Sequence, residues 1–225
     1  MSLRTFSALL LHAGSAAIMY WGFDQLSTLP QDKLIVSQKG GHLQFLTIQG
    51  LGAAFLCQSI SALSDIMPSV TVLAKLKRNL FMIAMPIAVV ISSIYWTLLL
   101  LFPALILQRD ASELEPTSSS EVPELLRIPV SMDLALHAVP AVTLLFDFYL
   151  FETKFSSYEV KQRATIVAAT WCLWYSSWVE YCASYNGSFP YPFLTENPFP
   201  VRCGIYFGAL VLALAAFRGI NSLHP

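Results

Sequence analysis

Charge is what this sequence has least of. Of 225 residues, 13 are Lys or Arg and 14 are Asp or Glu, so 12% are charged while 56% are hydrophobic. A soluble domain carries roughly a quarter charged residues, so this chain has about half the charge that a globular surface needs. The shortage excludes an ordinary soluble fold and makes a bilayer the solvent. The net charge of -1 lacks the basic excess of a nucleic-acid binder, so no nucleic-acid partner is expected. Cysteine is also scarce. Cys57, Cys172, Cys182 and Cys203 fall in or beside apolar runs, which is not a secreted disulfide framework. Cys182 and Cys203 lie near one membrane face, but packed free thiols are the expected state. Neither C-x-x-C nor H-E-x-x-H spacing occurs, so no metal is expected. The phosphate-binding glycine loop and the G-x-S-x-G elbow are missing too, and no cofactor is expected.

What the chain does have is long apolar runs. Six stretches, about residues 5–23, 43–66, 79–107, 133–151, 164–183 and 200–217, each approach the length that crosses a hydrocarbon core. Transmembrane barrels use short alternating segments instead. The expected fold class is therefore all-α: a polytopic membrane protein of six transmembrane helices forming one domain over residues 1–225. The third stretch is the longest and contains Pro86 and Pro103, which predicts a kinked or tilted helix. The first stretch has features of a secretory signal, with Arg4 ahead of it and small residues at Ala13–Ala17. Its apolar run continues through Tyr20 and Trp21, however, and an interfacial aromatic pair suits a span.

Lys and Arg set the orientation. One side collects Arg4, Lys75, Lys77, Arg78, Lys154, Lys161, Arg163 and Arg218; the other has Lys33, Lys39, Arg109, Arg127 and Arg202. This bias places the N- and C-termini in the cytoplasm. The loop between spans three and four then faces the lumen or exterior, and its Ser/Pro/Glu-rich stretch Glu113–Glu124 reads as a polar linker.

Polar groups inside the spans are expensive and are functional candidates by default. Thr47 lies about one turn into span two and His137 about one turn into span four. Both spans enter from the lumenal side, so at 1.5 Å per residue the two side chains reach matching depth. Asp133, four residues before His137, stacks over the imidazole on one helix face, and Glu180 lies near the lumenal end of span five. A hydroxyl nucleophile needs a base, and the base works better when a third group fixes its tautomer. Thr47, His137 and Asp133 supply those three residue types. Each also has a structural reading: Thr47 bonding its own helix carbonyl, His137 as an interhelical hydrogen bond, Asp133 as a helix cap and Glu180 as a solvated interfacial residue. Gly50 and Gly52 read as sites of close helix packing. Trp171, Trp174, Trp178, Tyr181 and Tyr185 read as packing and interfacial anchors.

The same residues carry a family resemblance. The run His42–Thr47 resembles the segment bearing the nucleophilic threonine in the androgen-induced and androgen-dependent family of transmembrane threonine hydrolases. Asp133–His137, followed by Ala138-Val139-Pro140, is similar to that family's histidine segment. Arg78–Phe81, with Pro86 and Trp96, resembles the start of its third span, and Tyr191–Leu194 matches its loop between spans five and six. Asp133 stands where animal members carry asparagine, Glu180 stands where they tend to carry histidine, and the loop between spans three and four is longer. These departures make it resemble a divergent, non-animal member.

The resemblance implies hydrolysis of fatty acid esters of hydroxy fatty acids in the endoplasmic reticulum or another cell membrane. Thr47 would be the nucleophile and His137 its base; the supporting roles of Asp133 and Glu180 come from the residue pattern, not from the resemblance. The partners are then the lipid ester and membrane lipids. Two other classes fit the composition: a non-catalytic lipid- or sterol-binding membrane protein, and a small transporter. Asp65, Asp147 and Glu152, near the opposite face, keep a proton path open for the latter.

Overall fold

The computed structural model describes residues 2–107 and 125–225. Arg109 and the expected linker Glu113–Glu124 lie outside the described residues. Every described element is a helix: α1 (Leu3–Asp24), α2 (Asp32–Ser37), α3 (Leu46–Ile66), α4 (Thr71–Leu101), α5 (Val130–His137), α6 (Val139–Leu150), α7 (Ala164–Asn186), α8 (Pro192–Thr195) and α9 (Phe199–Ser222). Short 3₁₀ turns at Gln25–Thr28 and Gly41–Gln44 lead out of α1 and into α3.

Among the described residues, four helices are long and apolar enough to cross a membrane: Leu3–Thr28, Leu46–Ile66, Thr71–Leu101 and Phe199–Ser222. The pair α5 and α6 makes a fifth if counted as one span bent by 43°. The stretch expected as span five forms α7, 23 residues long. It is not among the apolar four, because Trp, Tyr, Ser and Glu180 dilute its hydropathy.

A break occurs in a stretch where none was expected. α4 continues through Pro86 as one helix of 31 residues, and Pro103 stands beyond it in a 3₁₀ turn. The break falls instead at Ala138, between α5 and α6. Pro140 has no N–H to give the carbonyl four residues earlier, and its ring crowds that carbonyl, so the helix parts just after His137.

α1, α3, α4 and α6 form the centre, with α7 and α9 packed on each other and on α4. Met19, Ala54, Phe81, Met85, Leu144 and Phe148 are fully buried in it. Leu10, Leu56, Phe146, Leu173 and Phe207 point outward, as an apolar solvent allows. α1 packs along α3 and against α5 and α6, so the first stretch is part of the bundle.

Two glycines bring helices together. A Cβ at Gly22 would lie 2.8 Å from Ala135 Cβ, and one at Gly50 would collide with Ile91 Cδ1. Gly52, expected to act like Gly50, has nothing within 4 Å. Ala135 has no rotamer with which to retreat, so Gly22→Ala forces α1 and α5 apart. The expected cost is about 1–3 kcal/mol, read as a lower melting temperature in detergent. Gly52→Ala is expected to leave that temperature nearly unchanged.

At one end of the bundle Arg78 fastens the turn between α6 and α7. Its Nε and Nη2 donate to the two Glu159 oxygens at 2.9 and 3.0 Å, and Nη1 donates to the Thr153 carbonyl at 3.0 Å. The Arg78 guanidinium holds the Glu159 carboxyl down at about 2, against an ordinary value of 4.5. A depressed carboxyl stabilises the fold above its unfolded value and loses that contribution as pH falls through its folded one. Wild-type stability is thus expected to fall from pH 4.5 towards pH 2 more steeply than that of Glu159→Gln, compared by thermal unfolding across that range.

Candidate active site

The opposite end of the bundle brings Thr47, His137 and Asp133 together. Thr47 lies on the first turn of α3 rather than one full turn in, because the chain enters through the 3₁₀ turn Gly41–Gln44. His137 is the last residue of α5, at the Pro140 break. The break matters for its direction, since α5 and α6 leave this point at different angles. Thr47 Oγ1 lies 3.4 Å from His137 Nε2, and His137 Nδ1 lies 2.7 Å from Asp133 Oδ1. All three side chains are buried.

The distances assign the imidazole. An ionised carboxylate only accepts, so Nδ1 carries the proton and donates to Asp133. Nε2 is then an unprotonated acceptor facing the Thr47 hydroxyl. A 3.4 Å contact is loose, as catalytic contacts without substrate often are. Tyr95 of α4 lies flat on the imidazole, with ring centroids 3.4 Å apart and planes 1° from parallel, and its hydroxyl bonds to Asp133. His137 is therefore fixed on a face by Tyr95 and on an edge by Asp133.

Glu180 does not join this group. Its oxygens accept from Arg202 Nε and Nη2 at 2.7 and 2.8 Å and from the Tyr206 hydroxyl at 2.9 Å, tying α7 to α9. Glu180, expected in support of Thr47 and His137, bridges two helices here. Two of the tryptophans bond to the start of α3: Trp178 Nε1 donates to the Leu43 carbonyl at 2.9 Å and Trp174 Nε1 to Gln49 at 3.2 Å. All four cysteines are free thiols.

Thr47 sits where two cavities meet. One, of about 140 Å³, runs between α4, α7 and α9 and is lined by apolar side chains such as Pro86, Ile87, Val90 and Leu210. The second, also of about 140 Å³, lies towards α2 and the end of α1 and includes Gln31, His42 and His137. Thr47, Tyr95, Ile106 and Tyr191 line both.

Sequence reading missed Tyr95. Its neighbour Trp96 lay in a motif, but nothing in a helical run marks which aromatic will stack on a histidine from another span. Tyr191 was visible only as part of the Tyr191–Leu194 run, with no role attached. Among the described residues no group of three His, Cys, Asp or Glu side chains could hold a metal ion.

The fold and site define a helical membrane protein with a buried polar triad at one end of its bundle. The chain belongs to the FAR-17a/AIG1-like protein family, whose pattern it matches over residues 7–224. It is 27% identical over 221 residues to a UPF0641 membrane protein of Schizosaccharomyces pombe, covering 98% of this chain and 91% of that one. A UPF0641 membrane protein of Saccharomyces cerevisiae is 24% identical over 188 residues, covering 79% and 74% of the two chains. No solved structure matches.

Proposed function

We propose that this protein is an intramembrane lipid ester hydrolase that cleaves fatty acid esters of hydroxy fatty acids. The observation that carries the reading is Thr47 Oγ1 facing Nε2 of a histidine whose Nδ1 is held by Asp133. The resemblance noted in the sequence names the same pair.

In this reading Thr47 Oγ1 attacks the ester carbonyl carbon and His137 Nε2 takes the hydroxyl proton. His137 returns that proton to the departing alkoxide, releasing the hydroxy fatty acid. A water molecule then gives a proton to His137 and attacks the acyl-threonine. The fatty acid leaves, and the Thr47 oxygen recovers its proton from His137. Asp133 stabilises the imidazolium in both halves. The apolar cavity between α4, α7 and α9 suits an acyl chain, and the more polar one suits the half of the ester nearer water. A two-chain lipid concentrates in the bilayer, since each buried CH₂ contributes roughly 0.8 kcal/mol.

The same reading takes α7 and the bent pair as spans, giving one domain of six spans over residues 1–225 with both termini cytoplasmic. It places the chain in the endoplasmic reticulum or another cell membrane. The test is hydrolysis of a branched lipid ester by purified protein in detergent. Turnover by the wild type is expected. Binding of the ester without turnover would instead favour a lipid- or sterol-binding protein.

A further inference from the structure

α3 starts without a side-chain cap, because Phe45 occupies the N-cap position and makes no side-chain bond. The first amides of a helix have no intrahelical acceptor, and the macrodipole draws negative charge towards them. Ile48 and Gln49 settle on the Phe45 carbonyl at 3.2 and 3.3 Å. Leu46 N–H instead donates to the Tyr191 hydroxyl oxygen at 2.9 Å. Thr47 is the next residue, and it lines the same two cavities as Tyr191. Tyr191 therefore caps α3 from a distant loop, with its phenol beside the proposed nucleophile.

Three tyrosine hydroxyls are near Thr47, and two are committed elsewhere. Tyr95 bonds to Asp133, and Tyr175 donates to the Gln44 carbonyl at 3.3 Å. Tyr191 accepts from the Leu46 amide, lies beside the Tyr175 hydroxyl, and has its own O–H to give. Accepting the amide bond polarises the hydroxyl and makes it a stronger donor. Its ring is fixed by stacking on Phe193, at 5.4 Å and 15°, and by an edge contact with Phe45 at 5.7 Å. Burial raises the phenol above its ordinary value, so it stays protonated at neutral pH. It also lines both cavities, where an ester spanning Thr47 would place its carbonyl.

We propose that the Tyr191 hydroxyl is the oxyanion donor of the hydrolysis, hydrogen-bonding the carbonyl oxygen as Thr47 attacks. This rests on the hydrolase reading of Thr47 and His137. The bond shortens as charge moves onto the carbonyl oxygen, and Tyr191 keeps its proton throughout. A preset donor of this kind acts on the transition state more than on the bound ester.

Tyr191→Phe keeps the ring and its stacking while removing the donor. It is expected to lower kcat by about 100-fold, the usual loss for one oxyanion donor, with KM nearly unchanged. A trifluoromethyl ketone analogue, which forms a charged hemiketal on Thr47, is expected to weaken by a similar factor, whereas a non-hydrolysable ether analogue keeps its affinity. Replacing Tyr191 by a ring-fluorinated tyrosine preserves packing and lowers the phenol's ordinary pKa. It is expected to move the alkaline limb of kcat to lower pH, which a purely structural anchor would not do.

If the wild type shows Thr47-dependent turnover and Tyr191→Phe keeps its kcat, the donor role is overturned and the hydrolase reading stands. Equal weakening of ketone and ether, or an unmoved alkaline limb, overturns it in the same way. If no Thr47-dependent turnover exists, both fall together.

Discussion

Thr47→Ala is expected to lose at least about 10⁴-fold in kcat on a fatty acid ester of a hydroxy fatty acid, and His137→Ala a comparable amount. The two side chains act as one unit: the hydroxyl is a weak nucleophile until Nε2 takes its proton, and the imidazole has nothing to activate without the hydroxyl. The double variant should therefore be little worse than either single one. Asp133→Ala is expected to lose less, because Tyr95 still holds the imidazole by its face. Initial rates with purified protein, alongside unfolding curves for each variant, check this. Loss of activity with an intact fold supports the account, and full activity in Thr47→Ala removes it.

The second large effect concerns the opposite end of the bundle and is one of stability. Asp147 of α6 is fully buried and lies between two basic side chains: His12 Nε2 at 3.0 Å from α1 and Lys77 Nζ at 3.2 Å from α4. His12 Nδ1 in turn lies 2.6 Å from Asp65 of α3, and Lys77 lies 2.8 Å from Glu152. One chain of ionisable groups thus ties together the four central helices. A buried ion pair adds little net stability over an apolar pair, but removing one partner leaves the other charge stranded. Asp147→Ala is expected to destabilise by about 3–5 kcal/mol, and Lys77→Met by a similar amount. Changing both should cost less than the sum, since each single change already strands its partner. Thermal unfolding of the single and double variants measures the coupling; strict additivity would contradict a shared network.

Much of the architecture was legible in the sequence, because long apolar runs have few alternatives to helices in a bilayer. The matching depth of Thr47 and His137 was legible for the same reason: alternate spans enter from the same side, so counting residues from two loops locates both. The break at Ala138 was not foreseen. Pro86 and Pro140 look alike as letters, yet α4 continues through Pro86 while the fourth stretch parts after His137. The partners of Glu180 were not legible because they are Arg202 and Tyr206 of α9, whose facing positions no local pattern gives. Tyr95 and Tyr191 were hidden for a similar cause. Each acts through the register of a neighbouring helix, and aromatic residues are common enough in spans that one more carries no signal. The network of His12, Lys77 and Asp147 was half visible: the acidic residues were noticed near that face, but their basic partners were assigned only to orientation or not considered.

The central claim, that Thr47 is the covalent nucleophile, is tested most directly by labelling purified protein with a fluorophosphonate probe and locating the adduct by peptide mass spectrometry. The account predicts a single adduct on Thr47, absent in Thr47→Ala and greatly slowed in His137→Ala. An adduct on another residue, or equal labelling of Thr47→Ala and wild type, would contradict it.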